Sequence, residues 1–220
     1  LNAANFINTD IPTSGFDYVT IAHEVIHNLG ATHPFDGYAK LPGVERSSEL
    51  GDFNFNQNIY TITSYNQTGT NSHASIKIGP EGVTPNTSFG LSSLGVIDQA
   101  FLQALYGANN TTNTDDTYYE LGNKTTKKAW ETIWDAGGND TIGVSENHIG
   151  SVVIDLRSAS LIEAHAGHAL GGICTTTEEE TYGGFILGKD VRIENAKSGS
   201  GDDSVFGNQF NNFISTTGGN

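Results

Sequence analysis

The twelve residues "HEVIHNLGATHP" (23–34) constrain this chain most, because they specify a helix, a turn and a return of the chain. Residues four apart lie on one helix face, so His23 and His27 point the same way. Gly30 lets the chain leave the helix in a conformation that other residues adopt only at a cost. We therefore expect His33 to come back beneath the other two histidines. Three neutral imidazole nitrogens leave a coordination position open for water, as catalytic zinc requires.

The glutamate of this pattern has a different expected position. Glu24 is displaced around the helix axis from the histidine face, so its carboxylate is expected to reach a water at the metal rather than the metal itself. Because short HExxH patterns recur by chance, a histidine-bearing helix without a metal is the alternative interpretation. The glycine and the third histidine at the extended spacing favour one zinc ion bound by His23, His27 and His33.

Composition excludes several classes of partner. The formal net charge of −15 over 220 residues argues against nucleic acid or an anionic membrane. The acidic groups indicate either a soluble surface or sites for hard cations. Cys174 is the only cysteine, so no internal disulfide can form, and no apolar run is long enough for a membrane span. The chain contains no methionine, so we expect it to begin inside a longer product.

Apolar periodicity predicts two helices, both in the first half of the chain. The first runs from about Ser14 to Gly30 and the second from about Ser93 to Gly107. The second helix is expected to bury Leu94, Ile97, Phe101, Leu102 and Leu105. The polar stretch "GANNTTNTDD" predicts a domain boundary, which gives domains at 1–108 and 109–220. Beyond it the runs "ETIWD", "SVVIDL", "FILG" and "VRIE" predict strands without helices.

Two nine-residue units close the sequence, "SGSGDDSVF" and "GNQFNNFIS", with Val205 and Ile214 in the same apolar slot. They fit the glycine-rich repeat of calcium-binding β-rolls, which we expect from about residue 198. Ser198 and Ser200 lie in the turn of the first unit, and Asp203 is expected to supply a carboxylate to calcium. Polar turns without an ion are the alternative interpretation.

The zinc motif resembles the signature of the metzincin endopeptidases, and His33 followed by Pro34 resembles the serralysin branch. "ITSY" (62–65) resembles the tight turn under the metal, and "LYGAN", "WDAGGNDTI" and "IENAKSGSGDD" resemble serralysin segments in the same order. The resemblance covers nearly the whole chain. It implies an α+β fold: the C-terminal part of a metzincin zinc-protease domain, without its upper half, followed by an all-β calcium-binding β-sandwich or β-roll.

The resemblance also implies roles for individual residues. Glu24 corresponds to the general base and Tyr65 to the tyrosine that stabilises the oxyanion. Thr63 stands where the family has methionine, so the floor under the metal should lose contacts or supply a partner for the hydroxyl. The further calcium ligands implied by resemblance are Asn113, Asp115, Asp116, Thr117, Asp135, Gly137, Gly138, Asp140, Glu194 and the backbone carbonyl of Arg192.

The expected function is that of a secreted, extracellular bacterial zinc endopeptidase with one catalytic Zn²⁺ and several structural Ca²⁺ ions. Its expected partners are protein or peptide substrates and a proteinaceous inhibitor in the cleft, with no nucleic acid, and the chain is expected to be a monomer. The alternative is a calcium-binding secreted or adhesin-type module whose protease half is inactive. A third interpretation is a fragment that cannot hold substrate alone.

Overall fold

The computed structural model describes residues 16–37, 40–66, 77–79, 82–84, 91–123, 129–161, 171–177 and 183–219. Within these ranges the helices are α1 (Phe16–Asn28) and α2 (Val96–Tyr106). The strands are β1 (Lys77–Gly79), β2 (Gly82–Thr84), β3 (Tyr118–Glu120), β4 (Trp130–Ile133), β5 (Thr141–Gly143), β6 (Val152–Asp155), β7 (Ile173–Thr176), β8 (Gly184–Leu187), β9 (Asn195–Lys197), β10 (Ser204–Phe206) and β11 (Phe213–Ser215). In the part of the chain so described, neither helix has the length and apolarity to cross a bilayer.

Helix α1 ends as its sequence predicts. The amide of Ala31 donates to the carbonyl of Ile26 at 3.1 Å, and the amide of Gly30 donates to the carbonyl of His27 at 3.0 Å. This pair of bonds is the Schellman motif, and it requires the left-handed backbone seen at Gly30, where φ is 102°. The predicted start at Ser14 lies outside the described residues.

Helix α2 begins three residues later than predicted. The hydroxyl oxygen of Ser93 accepts the amide of Thr132 in β4 at 2.8 Å and so holds this segment against the sheet. Gly95 becomes the N-cap residue, and Gly107 ends the helix with φ of 83° as predicted. The expected burial of Leu105 is wrong: its side chain is 57% exposed, because the whole last turn of α2 faces outward.

The β part contains two main sheets. One has the order β10-β6-β7-β8-β4 and the other the order β11-β9-β5-β3, in which all pairs are parallel. In the described residues beyond α2 there is no helix, in agreement with the predicted all-β second half. The strand predicted at "VRIE" (191–194) is wrong. Val191 and Ile193 are buried in alternation, but the hydrogen-bonded ladder starts only where Asn195 donates to the carbonyl of Asp140.

Strands β9, β10 and β11 begin nine residues apart and alternate between the two sheets. Ile214 of β11 pairs with Ala196 of β9 in one sheet, and Val205 of β10 pairs with Ile154 of β6 in the other. Val205 packs against the core between the sheets, whereas Ile214 is 44% exposed. The nine-residue period therefore produces one strand and one change of sheet per unit, starting one strand earlier than predicted.

Two hydrophobic cores hold these elements. The first joins Ile26 of α1, Ile62 of the following loop and Val96 of α2 to Trp130 and Ile186 of the sheet. The second lies between the two sheets. The predicted boundary at 108/109 remains a prediction, and the first core contains residues from both sides of it. Helix α1, which carries the histidines, is consequently packed on the β part.

Candidate metal centre

The three predicted histidine ligands converge on one point. The Nε2 atom of His27 lies 3.0 Å from Nε2 of His23 and 3.2 Å from Nε2 of His33. The Nε2 atoms of His23 and His33 are 3.3 Å apart. Among the described residues they form a group of side-chain donors that lie within 4.8 Å of one another. The spacing of the motif and the turn at Gly30 therefore produce the cluster that the sequence predicts.

The opposite ring nitrogens are all held by oxygen atoms. Nδ1 of His23 lies 2.7 Å from the carbonyl oxygen of Ile62, and Nδ1 of His27 lies 2.8 Å from that of Ala31. Nδ1 of His33 lies 2.7 Å from a carboxylate oxygen of Asp36. Because these oxygens accept, each Nδ1 carries its hydrogen and each Nε2 presents a lone pair to the common point.

This arrangement fits a divalent metal. Three lone pairs that face each other at about 3 Å repel, and a cation that accepts all three removes the repulsion. Three imidazole nitrogens are a donor set that zinc uses, with the remaining coordination position open. The oxygen partners of Nδ1 fix the tautomer and orientation of each ring, as outer contacts of metal-bound histidines do.

Glu24 and Tyr65 border the same open cavity as His23. This cavity, of about 380 Å³, is lined by Val19, Thr20, His23, Glu24, Ile62, Ser64 and Tyr65. The Tyr65 hydroxyl lies 2.8 Å from Nε2 of His33, and its ring stacks on that of His23 with the ring centres 5.9 Å apart. The side chain of Tyr65 is 59% exposed. Both predicted catalytic side chains thus border an open cavity beside His23.

The floor of the centre is polar. Thr63 is buried, and its hydroxyl lies 2.8 Å from the hydroxyl of Thr61, which in turn donates to a carboxylate oxygen of Asp98 at 2.6 Å. A cavity of about 170 Å³ lies beside these groups and also touches His33 and Phe101. Both expectations for Thr63 are therefore met, because its hydroxyl has a partner and space is left beside it.

The first predicted group of calcium ligands surrounds Asp140. Oδ1 of Asp140 accepts the amide of Thr117 at 2.8 Å, and its Oδ2 is buried without a hydrogen-bond partner. Burial, with the nearby carboxylates of Asp135 and Glu194, raises the pKa of Asp140 to about 6. A Cβ at Gly138 would lie 2.7 Å from the carbonyl oxygen of Asp115, so only glycine fits there. Crowded carbonyl and carboxylate oxygens with one unpaired atom fit a hard cation.

The other members of this group have partners of their own. Asp135 accepts from the Tyr119 hydroxyl at 2.6 Å, and Asp116 accepts from the Asn139 amide at 2.9 Å. The predicted residues Asn113 and Gly137 donate to oxygens of Trp134 and Asp135. The Arg192 side chain pairs with Glu194 at 2.6 Å, which leaves its backbone carbonyl as the expected ligand.

The repeat residues show a mixed arrangement. Asp203 accepts the amide of Val152 at 2.9 Å through Oδ1, and its Oδ2 is buried without a hydrogen-bond partner. The hydroxyl of Ser198 is likewise buried without one. Ser200 is exposed, and its hydroxyl lies 3.4 Å from the carbonyl oxygen of His148. Asp203 and Ser198 therefore have unused oxygen atoms, as ligands of an ion would.

Three residues near the metal centre were missed by sequence reasoning. Asp36 accepts a hydrogen bond from Nδ1 of His33, and the sequence signal for it was a carboxylate three residues after the last histidine of the motif. Phe35 stacks on the His33 ring at 5.0 Å. Asp98 accepts from the amide of Ile62, whose carbonyl holds His23. Its signal was an acidic residue in the first turn of α2, where it accepts the amide of the N-cap residue Gly95 at 2.8 Å, and the predicted helix start at Ser93 concealed this position.

Sequence comparison places the chain in a known family. The sequence model of the family described as Peptidase M10 serralysin C terminal matches residues 99–219, more than half of the chain. The serralysin of Photorhabdus laumondii subsp. laumondii is 30% identical over 220 residues, which cover 95% of this chain and 40% of that protein. The metalloprotease AprA of Pseudomonas entomophila is 28% identical over 229 residues, which cover 97% of this chain and 41% of that protein.

A serralysin of Proteus mirabilis is similar as well, at 29% identity over 94% of this chain and 38% of that protein. The Pseudomonas entomophila relative is named a metalloprotease, and the histidine cluster of this chain could hold a metal ion. The chain belongs to the serralysin family. It spans about 40% of the length of these curated relatives.

Proposed function

We propose that this chain carries the zinc-binding and calcium-binding parts of a secreted serralysin-type endopeptidase. The observation that supports this most is the convergence of three Nε2 atoms within 3.3 Å, with each Nδ1 hydrogen bonded to an oxygen. A zinc ion held by His23, His27 and His33 would supply Lewis acidity, which lowers the pKa of water to about 7 and polarises a peptide carbonyl. Protein or peptide substrates are proposed because the similar Pseudomonas entomophila protein is named a metalloprotease.

Glu24 is proposed as the general base. It follows His23 on α1 and is exposed at the open cavity, so its carboxylate can accept a proton from the attacking water. The same group can then deliver the proton to the leaving amine. Its position off the histidine face leaves the three metal-binding nitrogens independent of it.

Tyr65 is proposed to stabilise the negative charge that develops on the substrate carbonyl oxygen. Its hydroxyl donates to Nε2 of His33 in this structure, and bound metal would compete for that lone pair. Since the side chain is 59% exposed and borders the cavity, the hydroxyl is free to donate to a substrate oxygen instead.

The test combines metal analysis with hydrolysis of casein by the full chain, in calcium-containing buffer. We expect one zinc per chain, retained in Glu24→Ala while hydrolysis is lost. Glu24→Asp is the matched variant, and it should keep part of the activity because a carboxylate remains. Loss of zinc from Glu24→Ala, or its full activity, would show that the proposed role is wrong.

One result of the same assay supports the alternative function. Zinc binding without hydrolysis in the wild-type chain would favour a calcium-binding secreted module with an inactive protease half. This alternative has structural support of its own, since strands β9 to β11 and the acidic group around Asp140 do not involve the three histidines of the metal centre. A calcium titration followed by intrinsic fluorescence would measure calcium binding separately from zinc.

A further inference from the structure

The Asp98 carboxylate connects helix α2 to the loop that holds His23. Its Oδ2 atom accepts the amides of Ile62 and of Gly95, each at 2.8 Å, and its Oδ1 accepts the hydroxyl of Thr61 at 2.6 Å. The residue is 2% exposed. Its two oxygens thus accept three hydrogen bonds, and a buried carboxylate with such partners is costly to replace by a group that cannot accept them.

Backbone groups at the start of α2 also contact the loop that contains Ile62. The amide of Ile97 donates to the carbonyl of Tyr60 at 3.0 Å. A Cβ at Gly95 would lie 2.2 Å from that carbonyl oxygen, so the loop backbone occupies the space beside the glycine. The position of Ile62 is thus set by α2 rather than by the loop alone, because the loop lies outside helices and strands.

The next bond in this series reaches the metal centre. The carbonyl oxygen of Ile62 lies 2.7 Å from Nδ1 of His23 and fixes the orientation of that ring. Asp98 and His23 thus act on the amide and the carbonyl of one residue. A shift of Ile62 would rotate the imidazole and misdirect its Nε2 atom.

We propose that Asp98 is a positioning residue for the metal centre, which orients His23 through the backbone of Ile62. The hydroxyls of Thr61 and Thr63 complete this arrangement, since Thr63 donates to Thr61 while Thr61 donates to Asp98. The inference rests on the proposed metal centre and adds a residue 75 positions from His23 to it. Asp98 does not touch the metal or the substrate.

The test measures Co²⁺ binding to the full chain in calcium-containing buffer, by competition with a chromogenic chelator. Asp98→Asn keeps the size of the side chain but cannot accept from all three donors. We expect it to lower Co²⁺ affinity about 10-fold, as loss of outer contacts of metal ligands does. We also expect a changed visible absorption of bound Co²⁺, because the His23 nitrogen is displaced. A structural role without effect on the ligand would leave this spectrum unchanged.

Two controls separate positioning from general destabilisation. Gln99→Met removes the bond from the adjacent residue of α2 to the carbonyl of Thr132 and should leave the Co²⁺ affinity and spectrum unchanged. Thr61→Val removes the hydroxyl that donates to Asp98 and does so without a change in α2. Thr61→Ser keeps this hydroxyl. We expect weaker Co²⁺ binding for the valine variant and wild-type binding for the serine variant. If Asp98→Asn does not fold, the two Thr61 variants test the positioning role of Asp98 instead.

The outcomes that overturn the inference are distinct from those that overturn the proposed function. Wild-type Co²⁺ affinity and spectrum in folded Asp98→Asn, or equal losses in Gln99→Met, would remove the positioning role and leave the metal centre intact. If Asp98→Asn does not fold, equal Co²⁺ affinity in the two Thr61 variants would likewise remove the positioning role. Absence of Co²⁺ binding by the wild-type chain would overturn the metal centre, and the inference with it.

Discussion

Thr63 has both a hydrogen-bond partner and unfilled space, so its substitution tests which of them matters more. Thr63→Met would lose one bond to Thr61 but would extend into the cavity of about 170 Å³. Thr61 keeps its acceptor Asp98, so no buried donor is left without a partner. We expect a net gain of about 1 kcal/mol in the free energy of unfolding, with slower loss of zinc to a chelator.

Thr63→Val is the matched control for this prediction, because it removes the hydroxyl without filling the cavity. It should lower the free energy of unfolding by about 1 kcal/mol. Chemical denaturation in calcium and zinc measures both variants. A methionine variant that is less stable than the wild type and loses zinc faster would show that the floor is built around threonine.

Asp98 makes stability depend on pH in a predictable direction. Burial raises the pKa of Asp98 to about 6, above its ordinary value of 3.8. A raised pKa contributes stability that is complete below the ordinary value and is lost as the pH rises through about 6. The advantage in melting temperature of the wild type over Asp98→Asn should therefore decrease between about pH 4 and 6 and stay constant at higher pH. An advantage that increases over this range would mean that the three donors outweigh burial.

At the scale of elements, the turn after α1 is as important to the metal centre as the helix itself. Gly30 has φ of 102°, and a Cβ there would meet only Phe101, at 3.9 Å, so the cost of Gly30→Ala is in the backbone. We expect a loss of about 1 kcal/mol in the free energy of unfolding and a lower zinc affinity, because the turn places His33. Zinc competition with a chelator and denaturation measure the two effects.

Gly107→Ala is the matched control for the turn. Gly107 ends α2 with φ of 83° and open space around it, so alanine there should cost a similar amount of stability. No predicted zinc ligand follows it, so zinc affinity should stay at the wild-type value. Equal zinc affinity in both variants would mean that His33 is placed by its contacts with Asp36 and Phe35 rather than by the turn.

Local sequence patterns predict some of these elements and contacts but not others. The end of α1 and the convergence of its histidines follow from local spacing, so they were predictable. The start of β9 at Asn195, rather than within "VRIE", was not predictable, because alternation reveals burial and not which backbone groups are paired. The contact of Asp98 with Ile62 joins residues 36 apart and depends on how α2 packs on the loop. Such contacts, which arise from packing, are the part of the site that the sequence does not contain locally.

Over the whole molecule, the first core connects the histidine helix to the β part, so we expect the proposed zinc and calcium sites to depend on each other. It joins Ile26 of the histidine helix to Trp130 and Ile186 of the β part. The β part in turn contains buried carboxylates, among them Asp135 and Asp140, within a chain of net charge −15. Removal of calcium from such a group would leave carboxylates to repel one another, and the loosened sheets would be a weaker support for α1.

We therefore expect calcium to raise the melting temperature and also to slow the loss of zinc. Calcium at 100 times its dissociation constant adds about 2.7 kcal/mol, which corresponds to roughly 5–10 °C for a chain of this size. The comparison uses EGTA against millimolar calcium, with zinc restored in both samples. Asp140→Asn is the control and should reduce both effects of calcium, since it removes the charge of a buried ligand. Equal melting points with and without calcium would contradict the calcium sites, whereas a calcium-dependent melting point with unchanged zinc loss would show that the shared core does not couple the two metals.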